Sequence, residues 1–308
     1  MNTPTNAVVL GVGAEGFDAA MAVAIAEARR TQRPLHLVHV LQLPAGEAYA
    51  GVYDGALENA KATLAEATAK AEALAGTDVS VTAELFDNGW VVDDLARRTA
   101  GASLLVMQHR ALSRLKRVFV GSVVHGVAGR AVVPVISVPE GWDPDRQPVG
   151  VVTVAVQDPV EAPAILRVGF SEARARGAHL VVLHAWWLAS GYDIVVIDST
   201  VREYWAAHSR EEMQPVLTPL REEFPDVEVT TEVRHAPPVE AVLDAAEVSD
   251  LLVLGRRHHR LPIGSHLGPV VRGALDHAIC PVIVTPELPV DVKHAEPATT
   301  GDLATAGA

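Results

Sequence analysis

The sequence predicts an α/β protein made of two tandem doubly wound domains, each a five-stranded parallel sheet with helices on both faces. Three observations carry this. Short runs of β-branched and aliphatic residues alternate with helical patterns along the chain, which is the order of parallel strands joined by right-handed crossovers. The strand runs are apolar at nearly every position, as strands covered on both faces must be. And the second half repeats the first. Leu104-Leu105-Val106-Met107 recurs as Leu251-Leu252-Val253-Leu254, and Pro134-Val135-Ile136 recurs as Pro281-Val282-Ile283, both 147 positions later. Gly121 and Gly126 recur at the same offset as Gly268 and Gly273, and Leu37-Val38-His39 recurs as Val182-Leu183-His184 with a two-residue difference.

The elements follow in order. In the first half, strands are expected near Val8–Val12, Leu35–Leu41, Val79–Leu85, Leu104–Met107 and Val135–Val138. In the second they are expected near Val151–Val156, Leu180–Ala185, Val227–Val233, Leu251–Leu254 and Val282–Thr285. Between them Asp18–Ala28, Leu57–Leu74 and Val239–Ala246 have apolar residues at helical spacing. Domain 1 covers residues 1–140 and domain 2 covers 150–287, joined by a linker at 141–149 with Gly, Trp, Asp and Pro. Residues 288–308, rich in Pro, Thr, Ala and Gly, are expected to be a disordered tail.

Composition bounds the function. The chain has 308 residues, enough for two domains each burying a core, and 49% of them are hydrophobic. A formal charge of −13 argues against a general nucleic-acid or anionic-membrane surface. No apolar run is long enough to span a bilayer and the start has no secretory pattern, so a cytoplasmic location is expected. The single cysteine, Cys280, matches Val133 in the other copy and reads as a buried apolar residue.

In such a sheet a ligand binds beyond the carboxyl ends of the strands, where strand order reverses. The loops there are Gly13–Phe17 and Gln108–Val120, with Gln157–Glu161 and Gly255–Leu267 in the second half. Each long loop leads into a helix that begins at a glycine, and the amides of such a helix start attract phosphate. From Leu251 to Pro286, the strand, Gly255, the long loop, Gly268, the next helix and Cys280-Pro281-Val282 keep a spacing that resembles the universal stress protein family. The resemblance covers both halves, and the strand ends at His39 and His184 are similar to that family's as well.

The resemblance implies an adenine nucleotide alpha hydrolase-like, Rossmann-like fold. It also implies ATP or AMP as ligand, with magnesium only if ATP binds. Family members that bind ATP carry G-x2-G-x9-G-[ST] in the long loop and an aspartate after the first strand. Carried over, the candidate nucleotide-binding residues are Gly13, Val40, Gln108, Ala111, Gly121, Ser122 and Val123 in the first half. In the second half they are Gln157, Ala185, Gly255, His258, Gly268 and Val270. Several depart from the pattern. Gly13 and Gln157 replace the aspartate, Gln108 and Ala111 replace the first two loop glycines of one copy, and His258 replaces the second of the other. Pro269 stands at the hydroxyl position and has no N–H to donate. Losing such contacts at about 1–3 kcal/mol each reduces a micromolar site to no useful affinity, so ATP binding is expected to be weak or lost.

Basic loop residues weigh the other way. His109, Arg110, Arg114, Lys116 and Arg117, and Arg256, Arg257, His258, His259 and Arg260, either form a solvated charged surface or hold an anion. His258, His259 and His266 lack the spacing of a metal site, so no metal is expected. Trp186, Trp187, Tyr192, Tyr204 and Trp205 form either a lid over a planar ligand or an interface, the latter being the commoner use. Asp158 and Glu161 are read as starting a helix, His39 and His184 as structural. No catalytic constellation is recognisable, and an ATP-hydrolysing enzyme ranks last. The expectation is a non-catalytic stress-response or regulatory protein, with a protein-interaction module lacking any nucleotide as the alternative. The resemblance implies pairing through the last strand of each half, so Val135–Val138 and Val282–Thr285 are expected to pair within the chain across a pseudo-two-fold axis, and a further homodimer or an unknown protein partner is compatible with that.

Overall fold

A computed structural model describes residues 3–13, 16–41, 50–86, 90–109, 122–158, 162–187, 198–256 and 267–286. The ten expected strands are all present: β1 Val8–Gly11, β2 Leu35–Val40, β3 Val81–Phe86, β4 Leu104–His109, β5 Val135–Pro139, β6 Val151–Val156, β7 His179–Trp186, β8 Val229–His235, β9 Leu251–Gly255 and β10 Val282–Thr285. The described helices are α1 Asp18–Thr31, α2 Ala50–Ala75, α3 Val91–Arg98, α4 Ser122–Arg130, α5 Pro163–Arg176, α6 Ser199–Glu223, α7 Pro238–Glu247 and α8 Pro269–His277.

The strands form one sheet in the order β3-β2-β1-β4-β5-β10-β9-β6-β7-β8. Within each half all pairings are parallel. At the centre β5 and β10 pair antiparallel, with Ile136 opposite Ile283 and Ser137 opposite Val282, which is the expected intrachain pairing. Period-two alternation then sorts the strand residues into two layers. Leu10, Leu37, Val106, Ile136 and Ile283 join the cluster under α1, α2, α5 and α6. Val9, Val38, Leu105, Val135 and Val282 join the one under α3, α4, α7 and α8. Each layer runs through both halves, so the buried core is divided by sheet face and not by domain.

The repeat has a packing basis. A Cβ on Gly126 would lie 2.8 Å from the Val92 methyls, and one on Gly273 would lie 2.7 Å from Val239. Both glycines let the last helix of their half lie directly on the helix before it. Gly126→Ala and Gly273→Ala are each expected to cost about 1–3 kcal/mol by overpacking, read from urea unfolding midpoints.

Both sheet faces carry polar contacts across the joint between the halves. On one, Glu27 of α1 pairs with Arg30 and with Arg176 of α5, and Glu172 pairs with Arg176 and, at 3.5 Å, with Arg30. On the other, His125 of α4 lies 3.4 Å from Asp276 of α8. The linker is tied down by Asp250. Its carboxylate accepts from Arg146 at 3.2 Å and from the backbone amides of Val149 at 3.0 Å and Gly150 at 2.7 Å. Arg146 also lies 4.4 Å over the Trp142 ring. The expected tail falls outside the described residues.

Candidate functional site

Strand order reverses between β1 and β4, and again between β6 and β9, so each half has one crevice where the loops after these strands diverge. In the first half β1 runs into the loop before α1. Val12 continues the ladder through its amide to Val38 O at 2.8 Å, and its own carbonyl accepts from His39 Nδ1 at 2.8 Å. A carbonyl only accepts, so Nδ1 carries the proton and the ring bolts the end of β2 to the end of β1. His184 repeats the contact with Val156 O at 3.2 Å. Both histidines tie neighbouring strand ends together.

Gln108 is not in a loop. β4 continues to His109, because these residues pair with Val138 and Pro139 of β5. The Gln108 side chain crosses the crevice, and its Oε1 accepts from Ala19 N at 3.1 Å and Ala20 N at 3.3 Å, in the first turn of α1. Gly13 is exposed, and a Cβ there would meet only the Gly16 carbonyl at 3.5 Å, so a side chain would fit. Val40 is buried in the core layer and Val123 packs against that same layer. Ser122 opens α4. Ala111 and Gly121 lie outside the described residues.

In the second half, a Cβ on Gly255 would lie 3.0 Å from Ile165 Cδ1, so this glycine permits a close approach of α5 to the end of β9. Gly268 caps α8 in extended conformation without a side-chain bond, and Pro269 is the first helical residue. That is a favoured place for proline, and it removes one of the outward-facing amides. Val270 packs against the core layer, and Ala185, half-buried, is the last residue but one of β7. Gln157 follows β6 directly. His258 lies outside the described residues, with the remaining loop cations apart from His109 and Arg256, and with His259, His266, Tyr192 and Glu161.

Two expectations are corrected. Asp158 does not start a helix: α5 begins at Pro163, with Ala162 at its N-cap and no side-chain cap, proline supplying the helical φ instead. His109 is not a loop cation. Burial pushes its imidazole down to about 4, against the smaller opposing pull of Asp276, and its Nδ1 shares a 2.8 Å hydrogen bond with the buried Ser137 hydroxyl. It is neutral at pH 7. This seam of His109, Ser137, His125 and Asp276 escaped sequence reasoning. The visible signal was Ser137, a polar residue in an otherwise apolar strand.

The aromatic residues of the second half gather at the ends of β7 and β8. Trp186 and Trp187 flank His235 at 4.3 and 5.1 Å, while Trp205 lies 6.2 Å from Trp186 and 6.1 Å from Tyr204. Trp187, Tyr204 and Trp205 are exposed. Cys280 is fully buried, and burial raises its thiol to about 12. It should therefore resist maleimide labelling in the folded protein and react only in denaturant. Among the described residues no group of three or more His, Cys, Asp or Glu could hold a metal, and no helix is long and apolar enough to cross a membrane.

A model described as the universal stress protein family matches residues 5–139 and again 149–286. A universal stress protein of Mycobacterium tuberculosis is 28% identical over 211 residues, 68% of this chain but only 66% of that protein, so the match spans just under two thirds of its length. A second from the same organism is 28% identical over 292 residues, covering 90% of this chain and 96% of its own. The structure is similar to a universal stress protein from Archaeoglobus fulgidus, with a TM-score of 0.66 at 18% identity, covering 91% of this chain and 96% of that one. A universal stress protein solved in complex with cAMP is 26% identical over 45% of this chain, with a TM-score of 0.35, and all of that chain is covered.

Proposed function

This chain belongs to the universal stress protein family through both of its halves, and from that premise we propose that it is a non-catalytic stress-response or regulatory protein of the cytoplasm whose two adenine-nucleotide-type sites are degenerate. ATP or AMP binds weakly or not at all, and magnesium enters only with ATP. The observation that carries this reading is the chemistry left at the strand ends. Gly13 and Gln157 stand where the family's aspartate would receive the adenosine, and at α8 Pro269 replaces both a hydroxyl and an amide donor. Each lost charged hydrogen bond is worth about 1–3 kcal/mol, so two or three suffice to take a micromolar site into the millimolar range.

Calorimetric titration with ATP and AMP, with and without magnesium, tests this. Dissociation constants in the millimolar range or no heat are expected, and micromolar binding of either nucleotide overturns the reading. Ser122→Ala should weaken any residual first-half binding, while Pro269→Ser should strengthen binding in the second half. A second reading, a protein-interaction module without nucleotide, is favoured by the exposed Trp187, Tyr204 and Trp205. It predicts that neither substitution has any effect on nucleotide titrations, while substituting these aromatic residues abolishes capture of the partner.

A further inference from the structure

Resting on that reading, we propose that Gln108 and Ile165 are built-in stoppers, the residues that hold the two crevices closed to a ligand. In the first half the stopper comes from the strand. Gln108 reaches from the end of β4 across the switch point and places its amide oxygen on the Ala19 and Ala20 amides, at 3.1 and 3.3 Å. Phe17, the N-cap of α1, offers these amides no side-chain bond, so Gln108 serves as the cap from a distance. A ligand group that needed those donors would have to displace Gln108 to reach them.

In the second half the stopper comes from the helix. Gly255 occupies the position matching Gln108, 147 residues on, and has no side chain to cross the crevice. Ile165 of α5 takes up that space instead, close enough that a Cβ on residue 255 would sit 3.0 Å from its Cδ1. Aligning the starts of α1 and α5 matches Ile165 with Ala20, the residue whose amide Gln108 holds. The two halves thus solve one packing problem in reciprocal ways, large on the strand and small on the helix in one, small on the strand and large on the helix in the other. Close-packed interiors tolerate such volume-conserving exchanges and resist unpaired ones. Gln108 with Ala20 and Gly255 with Ile165 therefore form two compensated pairs, and each closes its crevice.

Full-length wild type, Gln108→Ala, Gln108→Glu and Ile165→Ala should be titrated with AMP and ATP and followed by amide hydrogen exchange. In Gln108→Ala, exchange at Ala19 and Ala20 is expected to accelerate at least tenfold and AMP affinity to rise at least tenfold. Gln108→Glu retains the occupant and the acceptor, so it should protect both amides and gain no affinity. Ile165→Ala should gain affinity in the second half. Unchanged exchange and affinities within twofold of wild type overturn the stoppers, whereas micromolar binding by wild type overturns the weak-site reading and leaves the ratios between variants to judge the stoppers. Should Gln108→Ala not fold, the pair Ala20→Ile with Gln108→Gly rebuilds the second-half arrangement in the first. That double variant is expected to melt above Gln108→Gly alone; melting below it rejects the compensation.

Discussion

Glu27→Ala is expected to lower the unfolding free energy by about 3 kcal/mol, because it leaves half-buried cations at the joint without their partner. Glu27 is 5% exposed and sits between Arg30 of its own helix and Arg176 of α5. With Glu27 gone, two guanidiniums share the single carboxylate of Glu172, and one charge at the joint loses its compensation. The useful control is Glu58→Ala. Its partner Lys61 and its own side chain are exposed, so that change should stay within about 0.5 kcal/mol. Glu27→Gln separates charge from packing: if it costs as much as alanine, the ring acts through its charge. Equal midpoints for Glu27→Ala and Glu58→Ala in urea titrations would show that the ring contributes nothing to holding the halves together.

Acid should destabilise the protein through His109, in a window set by its lowered proton affinity. The folded ring titrates near 4 because burial disfavours its charged form, while the unfolded ring titrates near its ordinary value of 6.5. Between those values the unfolded chain binds the extra proton, so stability falls as pH drops from 6.5 toward 4 and is fully present above 6.5. The maximum loss from a shift of that size is about 3 kcal/mol. His109→Asn retains an acceptor for the Ser137 hydroxyl and removes the titration, so its melting temperature should fall less steeply through that window. His36 is lowered in the same direction, chiefly by burial, and carboxylates titrate at the acid end, so the difference between wild type and variant is the quantity to measure. Parallel curves for the two proteins would exclude His109 as the source.

The seam that holds His109 shows why part of the site escaped sequence reading. His109 and Arg256 occupy matching positions, and by residue type both read as loop cations. Only the pairing of His109 with Pro139 in the sheet reveals that one of them is inside a strand, where desolvation removes its charge. Asp158 failed for a related reason. A carboxylate near a helix start is a cap only if the helix begins there, and Pro163 delays it. The aromatic residues were visible in the sequence one by one. Their convergence required β8 to bring His235 between Trp186 and Trp187.

Gln108 marks the boundary most clearly. From the sequence alone it was a missing glycine in a loop. In the fold it is an acceptor for two helix amides, placed there because β1 and β4 are neighbours although 96 positions separate Val8 from Leu104. The sequence by itself determined the ten strands and the duplication, since these depend on local patterning repeated over many residues; uniform burial did not follow, because the edge strands β3 and β8 are only partly covered. Tertiary structure alone decided which side chains cross the crevices, which histidine is neutral and how two arginines and two glutamates close the joint. Those depend on distances between elements far apart in the chain, and a single methyl group, as at Ile165 against Gly255, is enough to change the outcome.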